Sequence, residues 1–327
     1  MLLSPFGRVR TDSTALEYAP RSSLFALRSP LFATRISHLA SSLLAPRLLP
    51  LRSLLLAPLV SHDVQPTEGF ANSAAQDTFC AGTDCTISRI YDQSPRLNHL
   101  DTAPAGGAHW LPDAGVNATK NKITIGGNPV YGAYFEGGMG YRCDKTTGVA
   151  TGDNAETLYM IVAGKHYNGG CCFDYGNAET NNLDDGAGTM ESVYWGNSRG
   201  WGRGNGDGPW VMGDLENGLW AGNASVNPDY DPVVADYVVA MVKGGSGSFA
   251  IKAGDAQSGA LKKMYDGPRP DRYNPMKKQG AIILGIGGDN SDSAIGTFYE
   301  GVMTAGYSTD AADDAVQANI AAAGYGK

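Results

Sequence analysis

The sequence predicts an all-β fold, a sandwich or a barrel, on three observations. From Gly69 onward, short apolar runs alternate with turns rich in Gly, Asn and Asp, at roughly ten-residue spacing. Glycine supplies 44 of 327 residues, about twice the usual share, with no collagen period. Helical periodicity is scarce until the C-terminal end.

Taken in order, residues 1–68 stand apart from the rest. The first 62 residues hold seven Arg, no Lys and only two acids, Asp12 and Glu17. Their local charge is +5, against −13 for the remainder. Residues 39–60 are apolar but are broken by Arg47, Arg52 and three prolines. They make a poor membrane span, which needs roughly 20 clean apolar residues. The run Leu54 to Val60 resembles the core of a secretory signal but lies far from Met1. The Arg- and Ser-rich, acid-poor start also resembles an organelle transit peptide. The simplest expectation is a poorly ordered segment outside the packed domain.

The domain proper is expected over residues 69–327. Strands are predicted at 86–91 and as a hairpin over 122–135 around Gly-Gly-Asn-Pro. Residues 157–163, with Leu-Tyr-Met-Ile-Val inside, read as a buried strand. Further strands follow at 192–195, 210–216, 237–242, 248–253, 281–286 and 297–304. From Thr309, a capping Thr or Asp, early acids and the Val316/Ile320 spacing predict one short helix.

Composition narrows the partners. A net charge of −8 argues against nucleic acid and against an anionic membrane surface. Hydrophobic residues at 42% and charged ones at 18% allow a sizeable core. An acidic, Gly- and Tyr-rich chain suits an extracellular protein that handles neutral polymer. The five cysteines are Cys80, Cys85, Cys143, Cys171 and Cys172. Cys80 and Cys85 bound a short loop that a disulfide could close. The adjacent Cys171 and Cys172 either form a strained ring disulfide or remain thiols. The odd number leaves Cys143 free. No set of Cys and His has metal-ligand spacing, so neither a metal nor a cofactor is expected. Asn117 and Asn223 begin N-glycosylation sequons.

Four stretches could carry chemistry. In residues 208–218, strand alternation puts Trp210, Met212, Asp214 and Glu216 on one face. Two like charges so close cost energy unless one is protonated or both face a polar cleft. Glycosidases use such carboxylates as acid, base or nucleophile beside an aromatic platform. The plain alternative is an edge strand with a solvated acidic face. In Gly169-Gly-Cys-Cys-Phe-Asp, a vicinal disulfide would make a flat apolar plate for a small sugar; two buried thiols are the alternative. Four of the five tryptophans fall within 26 residues, at 195, 201, 210 and 220. Most read as core, but Trp201 sits in a Gly- and Arg-rich loop too polar for that. The glycine-rich Gly285-Ile-Gly-Gly-Asp-Asn-Ser291 follows an apolar strand. It lacks the Lys-Ser/Thr of a phosphate loop, and Asp289 would repel an anion. It reads instead as an Asp held at a strand end, or as a plain Asp-Asn turn. Neither a Gly-x-Ser-x-Gly elbow nor a His-Glu-x-x-His motif occurs.

Six stretches carry a resemblance: Gln76-Asp-Thr-Phe-Cys80, Ile90-Tyr-Asp-Gln-Ser94, His166-Tyr-Asn168, Cys171 to Thr180, Gly206-Asp-Gly-Pro-Trp210 and Gly280 to Ser291. Together, from about Gly69 to about Gly324, they resemble the catalytic domain of the fungal α-L-arabinofuranosidases B of glycoside hydrolase family 54. The resemblance implies a concanavalin-like, jelly-roll β-sandwich. It implies a secreted, monomeric, retaining exo-glycosidase. Such an enzyme removes terminal non-reducing α-L-arabinofuranosyl residues from the arabinoxylan or arabinan of plant cell walls. On the matching positions, Glu216 would be the nucleophile and Asp289 the general acid/base, at the roughly 5–5.5 Å separation of a retaining pair. Asp289 would then need the higher pKa of the two. Cys171–Cys172 would be a vicinal disulfide beneath the sugar, and Cys80–Cys85 a structural bridge. Trp201, Asp214, Asn217 and Gly288 would contact the sugar. The resemblance thus pairs Glu216 with a distant Asp and leaves Asp214 to bind a hydroxyl.

The chain departs from the family pattern in four ways. Gly218 stands where the family usually has a second Asn, which would remove one sugar hydrogen bond. Cys143 has no expected partner. No family-like N-terminus is recognisable before Gly69, which would leave strands unpaired. The family's C-terminal arabinose-binding β-trefoil is absent. Two other readings stay open: a catalytically inactive, lectin-like arabinose binder, and a truncated non-functional gene product.

Overall fold

Antiparallel pairing accounts for every ladder between named strands, and it traces two sheets that face one another. The computed structural model describes residues 2–3, 34–38, 60–64, 66–67 and 70–327. The first sheet runs Asn117–Ile125, Asn128–Phe135, Gly296–Ala305, Glu156–Tyr167, Tyr237–Gly245, Ser248–Asp255 and Ser258–Pro268. The second runs Val60–Val64, Thr34–His38, Cys85–Ile90, Leu100–Thr102, Tyr141–Cys143, Ala281–Leu284, Asp174–Ala178, Glu191–Gly196, Trp210–Asp214 and Leu219–Trp220. One residue pair, Thr86 with Asn117, links the two at a corner. The result is the all-β sandwich expected, of the jelly-roll kind, closed by the C-terminal helix Asp310–Ala323.

The core lies between the sheets because the central strands carry apolar side chains on nearly every residue. Leu158, Met160, Ile161 and Val162 from one sheet are fully buried, as are Val193, Trp195, Val211 and Ile282 from the other. Burying such side chains contributes roughly 1.5–3 kcal/mol each, offset by chain entropy. Trp195 and Trp210 belong to this core, as the sequence suggests, whereas Trp201 is 56% exposed.

The predicted strands are recovered, with ends moved by a few residues. One correction matters for the site. The strand expected over 210–216 ends at Asp214. Glu216 and Asn217 take left-handed backbone angles, φ +67° and +58°. Strict alternation therefore does not carry Glu216 onto the face of Asp214. A short helix, Ser73–Phe79, also appears where none was predicted, with the Asn72 side chain accepting from Ala75 N at its start.

Strands are placed within the unusual N-terminal segment. Thr34–His38 lies between Val60–Val64 and Cys85–Ile90, and Leu2–Leu3 pairs with Gly296–Ala305. Most of residues 1–68, and with them the expectation of a poorly ordered appendage, fall outside the described residues. Among the described residues, no helix is long and apolar enough to cross a membrane. Cys80–Cys85 and Cys171–Cys172 are disulfides, and Cys143 is a half-buried free thiol. Asn223 is exposed in a loop, and Asn117 is half-buried on a strand.

Candidate active site

Chain segments far apart in sequence converge on one cleft of about 290 Å³. Its walls include Cys171, Cys172, Trp201, Asp214, Glu216, Asn217, Gly288 and Asp289. Every substrate-facing residue expected from sequence is therefore in one place. Ala108, Asp184, Gly218, Leu219, Gly287 and Ser291 complete the lining.

The second sheet positions most of these groups. Asp214 ends its strand opposite Ser192 and Leu219. Beyond it the chain turns sharply through Glu216 and Asn217. Left-handed conformations at such residues cost on the order of 1–3 kcal/mol and persist only where the surroundings enforce them. Here Asp214 Oδ1 accepts from Glu216 N at 3.1 Å, and Tyr273 Oη donates to the Glu216 carbonyl at 2.7 Å. Asn217 Nδ2 donates to Asp184 Oδ1 at 3.0 Å. At Gly218, an added Cβ would lie 3.2 Å from Trp220 Nε1, so the missing side chain fits a tightly packed indole.

The glycine-rich loop after Ala281–Leu284 delivers Asp289. Gly285 turns at φ +79°, packed so tightly on Phe135 that a Cβ would come within 2.3 Å of its ring. A tight turn follows, with Asn290 N donating to Gly287 O and Gly287 N to Ser291 O. Asp289 Oδ1 accepts from Ser291 N at 3.0 Å. Gly288 lets the loop approach the carboxylates: a Cβ there would lie 3.0 Å from Glu216 Oε2 and 2.2 Å from Glu179 Oε2. This observation puts Glu216 beside the residue that precedes Asp289.

The disulfide plate is strapped to the same loop. Cys172 N donates to Ser291 O and Ser293 N to Cys171 O, each at 3.1 Å. The Cys171–Cys172 peptide is cis. Gly170 allows the approach, since a Cβ would come within 2.4 Å of Ser293 O.

Beneath the cleft lie groups that sequence reasoning did not single out. Buried Arg142 donates from Nη1 to Gly288 O at 2.9 Å and to Asn290 Oδ1. Its Nη2 donates to Glu179 O at 2.5 Å, and its Nε to Asp144 Oδ1 at 2.6 Å. One guanidinium thus pins the Asp289 loop to Glu179, the residue that follows the strand Asp174–Ala178. Glu179 and Asp174 are fully buried and stand in the quoted Cys171 to Thr180 stretch. Their signal was visible as two acids in an otherwise apolar and small-residue run.

The electrostatics follow from crowding buried acids around one cleft. Glu216 is pushed up to about 10, first by desolvation, then by the charges of Asp214, Glu179 and Asp184. Asp214 rises to about 7 by desolvation, against the lowering effect of its hydrogen bonds to Asp174 and Glu216 N. Asp174, buried and beside Asp214, is driven well above the usual carboxylate range. Desolvation is the first cause of that rise, and the charge of Asp214 adds to it.

Among the described residues, two groups gather three potential ligand atoms within 4.8 Å of one another. In the first, Cys171, Cys172 and Asp214, both sulfurs are spent in the disulfide. In the second, His109, Asp113 and Asp292 pair among themselves.

The family model for the α-L-arabinofuranosidase B catalytic domain matches residues 60–326. An α-L-arabinofuranosidase of Hypocrea jecorina is 53% identical over 266 residues, covering 79% of this chain and 53% of that protein. The α-L-arabinofuranosidase B of Aspergillus niger is 52% identical over 265 residues, covering 79% and 53%. This chain thus spans about half the length of the curated relatives it matches. Among solved structures, a Glu-to-Gln mutant of a family 54 α-L-arabinofuranosidase soaked with 4-nitrophenyl α-L-arabinofuranoside superposes with a TM-score of 0.83 at 41% identity. That match covers 99% of this chain and 62% of the other. An arabinofuranosidase complexed with arabinofuranosyl-α-1,2-xylobiose gives 0.83 and 42%, with the same coverage.

Proposed function

Because the chain belongs to the α-L-arabinofuranosidase B catalytic family of glycoside hydrolases, we propose that it hydrolyses terminal α-L-arabinofuranosyl residues with retention of configuration. Glu216 attacks the anomeric carbon, forming a glycosyl ester as the bond to the leaving oxygen breaks. Asp289 gives that oxygen a proton. Asp289 then takes a proton from water, whose oxygen displaces Glu216 and releases arabinose. The observation that carries the reading is the convergence of Glu216, Asp289, Trp201 and the Cys171–Cys172 plate on one cleft. The plate and the indole offer two apolar surfaces to the sugar's C–H faces, and Asp214, Asn217 and the Gly288 backbone offer polar contacts to its hydroxyls.

A raised pKa on Glu216 fits this chemistry once the two acids are treated as a unit. The pair must carry one proton in the reactive form, and desolvation, then the charges of Asp214, Glu179 and Asp184, favours protonation of Glu216 in the free protein. With a sugar bound, positive charge developing at the anomeric carbon favours ionised Glu216, leaving the proton for Asp289. The substrates we propose are arabinose-bearing plant cell-wall polysaccharides, arabinoxylan and arabinan, attacked by a secreted monomer glycosylated at Asn117 and Asn223. Relatives of this kind support it: one neighbour is complexed with an arabinofuranosyl xylobiose.

The test is release of 4-nitrophenol from 4-nitrophenyl α-L-arabinofuranoside. The chain should be active. Asp289→Asn should lose about 10²–10⁴-fold in rate, and Glu216→Gln should fall to background, both with an unchanged circular dichroism spectrum. Full activity in either variant would overturn the assignment.

A further inference from the structure

Exposed large apolar side chains are not scattered evenly over this surface. Leu97, Val226 and Val234 stand singly, but Trp110 at 84% exposure and Leu111 at 66% are adjacent, on a loop that borders the cleft. The loop runs from Ala103 to Asp113, whose backbones pair at its base (Asp113 N to Ala103 O, 2.9 Å). Midway, Ala108 lines the cleft, and its N donates to the carbonyl of Asp289 at 3.0 Å. Trp110 follows two residues later. Leu183, 49% exposed, lies on the same side: a Cβ at Gly107 would sit 3.5 Å from Leu183 Cδ2 and 3.6 Å from Asp289 Cβ.

This loop is held rigidly. Gly106 N donates to His109 O, and Gly107 N to Asn182 O, both at 2.8 Å. His109 Nδ1 faces Asp292 Oδ2 at 3.0 Å and Asp113 Oδ1 at 3.6 Å. An indole carried on so many backbone anchors costs little entropy to present. Folding alone gives no reason to leave it in water.

The chemistry of the bond to be cleaved says what belongs there. A general acid touches the glycosidic oxygen, so everything attached through that oxygen lies on the acid's side of the cleft. Next to the acid stand the Ala103–Asp113 loop, through Ala108 N on the Asp289 carbonyl, and Leu183, which with Asp289 flanks Gly107.

We propose that Trp110, with Leu111 and Leu183, forms the platform that binds the sugar chain on the leaving-group side of the cleft. It holds the polysaccharide bearing the arabinofuranosyl branch. The proposal rests on the roles of Glu216 and Asp289 given above. Its surfaces are apolar and uncharged, which suits the C–H faces of neutral pentose residues.

The test compares two substrates that differ only beyond the scissile oxygen. One is methyl α-L-arabinofuranoside, too short to reach the platform. The other is an arabinofuranosyl-substituted xylo-oligosaccharide. Trp110→Ala should lower kcat/KM on the oligosaccharide by roughly tenfold, mostly through KM, and leave the methyl glycoside within about twofold. Trp110→Tyr should restore most of the loss. Equal effects of Trp110→Ala on both substrates, or none on either, would overturn the platform while leaving the glycosidase reading intact. A parent chain that cleaves neither substrate removes that reading and the platform with it.

Discussion

At the residue scale, the account turns on how single side chains are held. Glu216 needs its left-handed backbone to leave the strand and enter the cleft. No alternation pattern shows that, because the pattern assumes the strand continues. Asp289 was legible as an acid on a glycine loop after an apolar strand. Its partner across the cleft was legible only through family resemblance. Arg142 was not legible at all, since a sequence gives no sign that a lone Arg between two strand residues is buried. Its fork bonds Gly288, Asn290 and Glu179 at once, which a lysine's single ammonium cannot copy. Arg142→Lys should therefore leave the chain folded yet lower kcat by about 10–100-fold, through a displaced Asp289 loop. Steady-state kinetics on the nitrophenyl glycoside would check this, and wild-type turnover would show that the fork does not set the loop.

At the element scale, the instructive strands are those that composition hides. Asp174–Ala178 is buried at every residue, yet reads Asp-Tyr-Gly-Asn-Ala. The side chain of Asn177 is satisfied within the fold, donating to Ala150 O and accepting from Gly280 N. Ser258–Pro268 was missed for the opposite reason. It is a mostly exposed edge strand rich in lysine, the charge pattern that protects an edge from further pairing. Asp174 makes a sharp prediction. Its pKa is raised in the folded chain, so the proton it holds stabilises the fold below its unfolded pKa, and that stability is lost as pH rises through the folded value. Asp174→Asn keeps the shape and cannot ionise. It should melt at least as high as the parent at pH 5 and clearly higher at pH 9 by calorimetry; a lower melting point at pH 9 would refute the protonated role. The C-terminal helix gives another. Asp313 takes Lys243 at 2.7 Å and Lys252 at 2.5 Å, all three buried. Asp313→Asn leaves two buried ammonium groups with one fewer charge between them and should cost about 3–5 kcal/mol, measured by urea unfolding. Activity per folded molecule should not change.

At the scale of the whole molecule, the sandwich was legible because its core strands are short, apolar and evenly spaced. The faces were not assignable from sequence, since strands buried on both sides lose their alternation. Nor was the role of the N-terminal segment, where Thr34–His38 and Val60–Val64 extend the second sheet beyond Cys85–Ile90. Charge sets the pH response of the fold. Asp113 rises to about 6 by desolvation and then by Asp292, and Asp214 to about 7. Both bind protons more tightly folded than unfolded, so their contribution is complete below about pH 4 and is lost as pH climbs through 6 to 7. Asp77 and Asp153 are lowered, so theirs is lost only in strong acid. The melting temperature should therefore be highest near pH 4 and fall toward pH 8. Each kcal/mol lost lowers it by roughly 2–4 °C.

The central claim is that Glu216 forms a bond to the sugar. The most direct measurement is intact-mass and peptide mass spectrometry after incubation with an electrophilic, arabinofuranose-configured inhibitor such as a cyclic sulfate. One sugar per chain on the peptide carrying Glu216, absent in Glu216→Gln, is the predicted result. Labelling at Asp214 or Asp289, or turnover without any labelling, would contradict it.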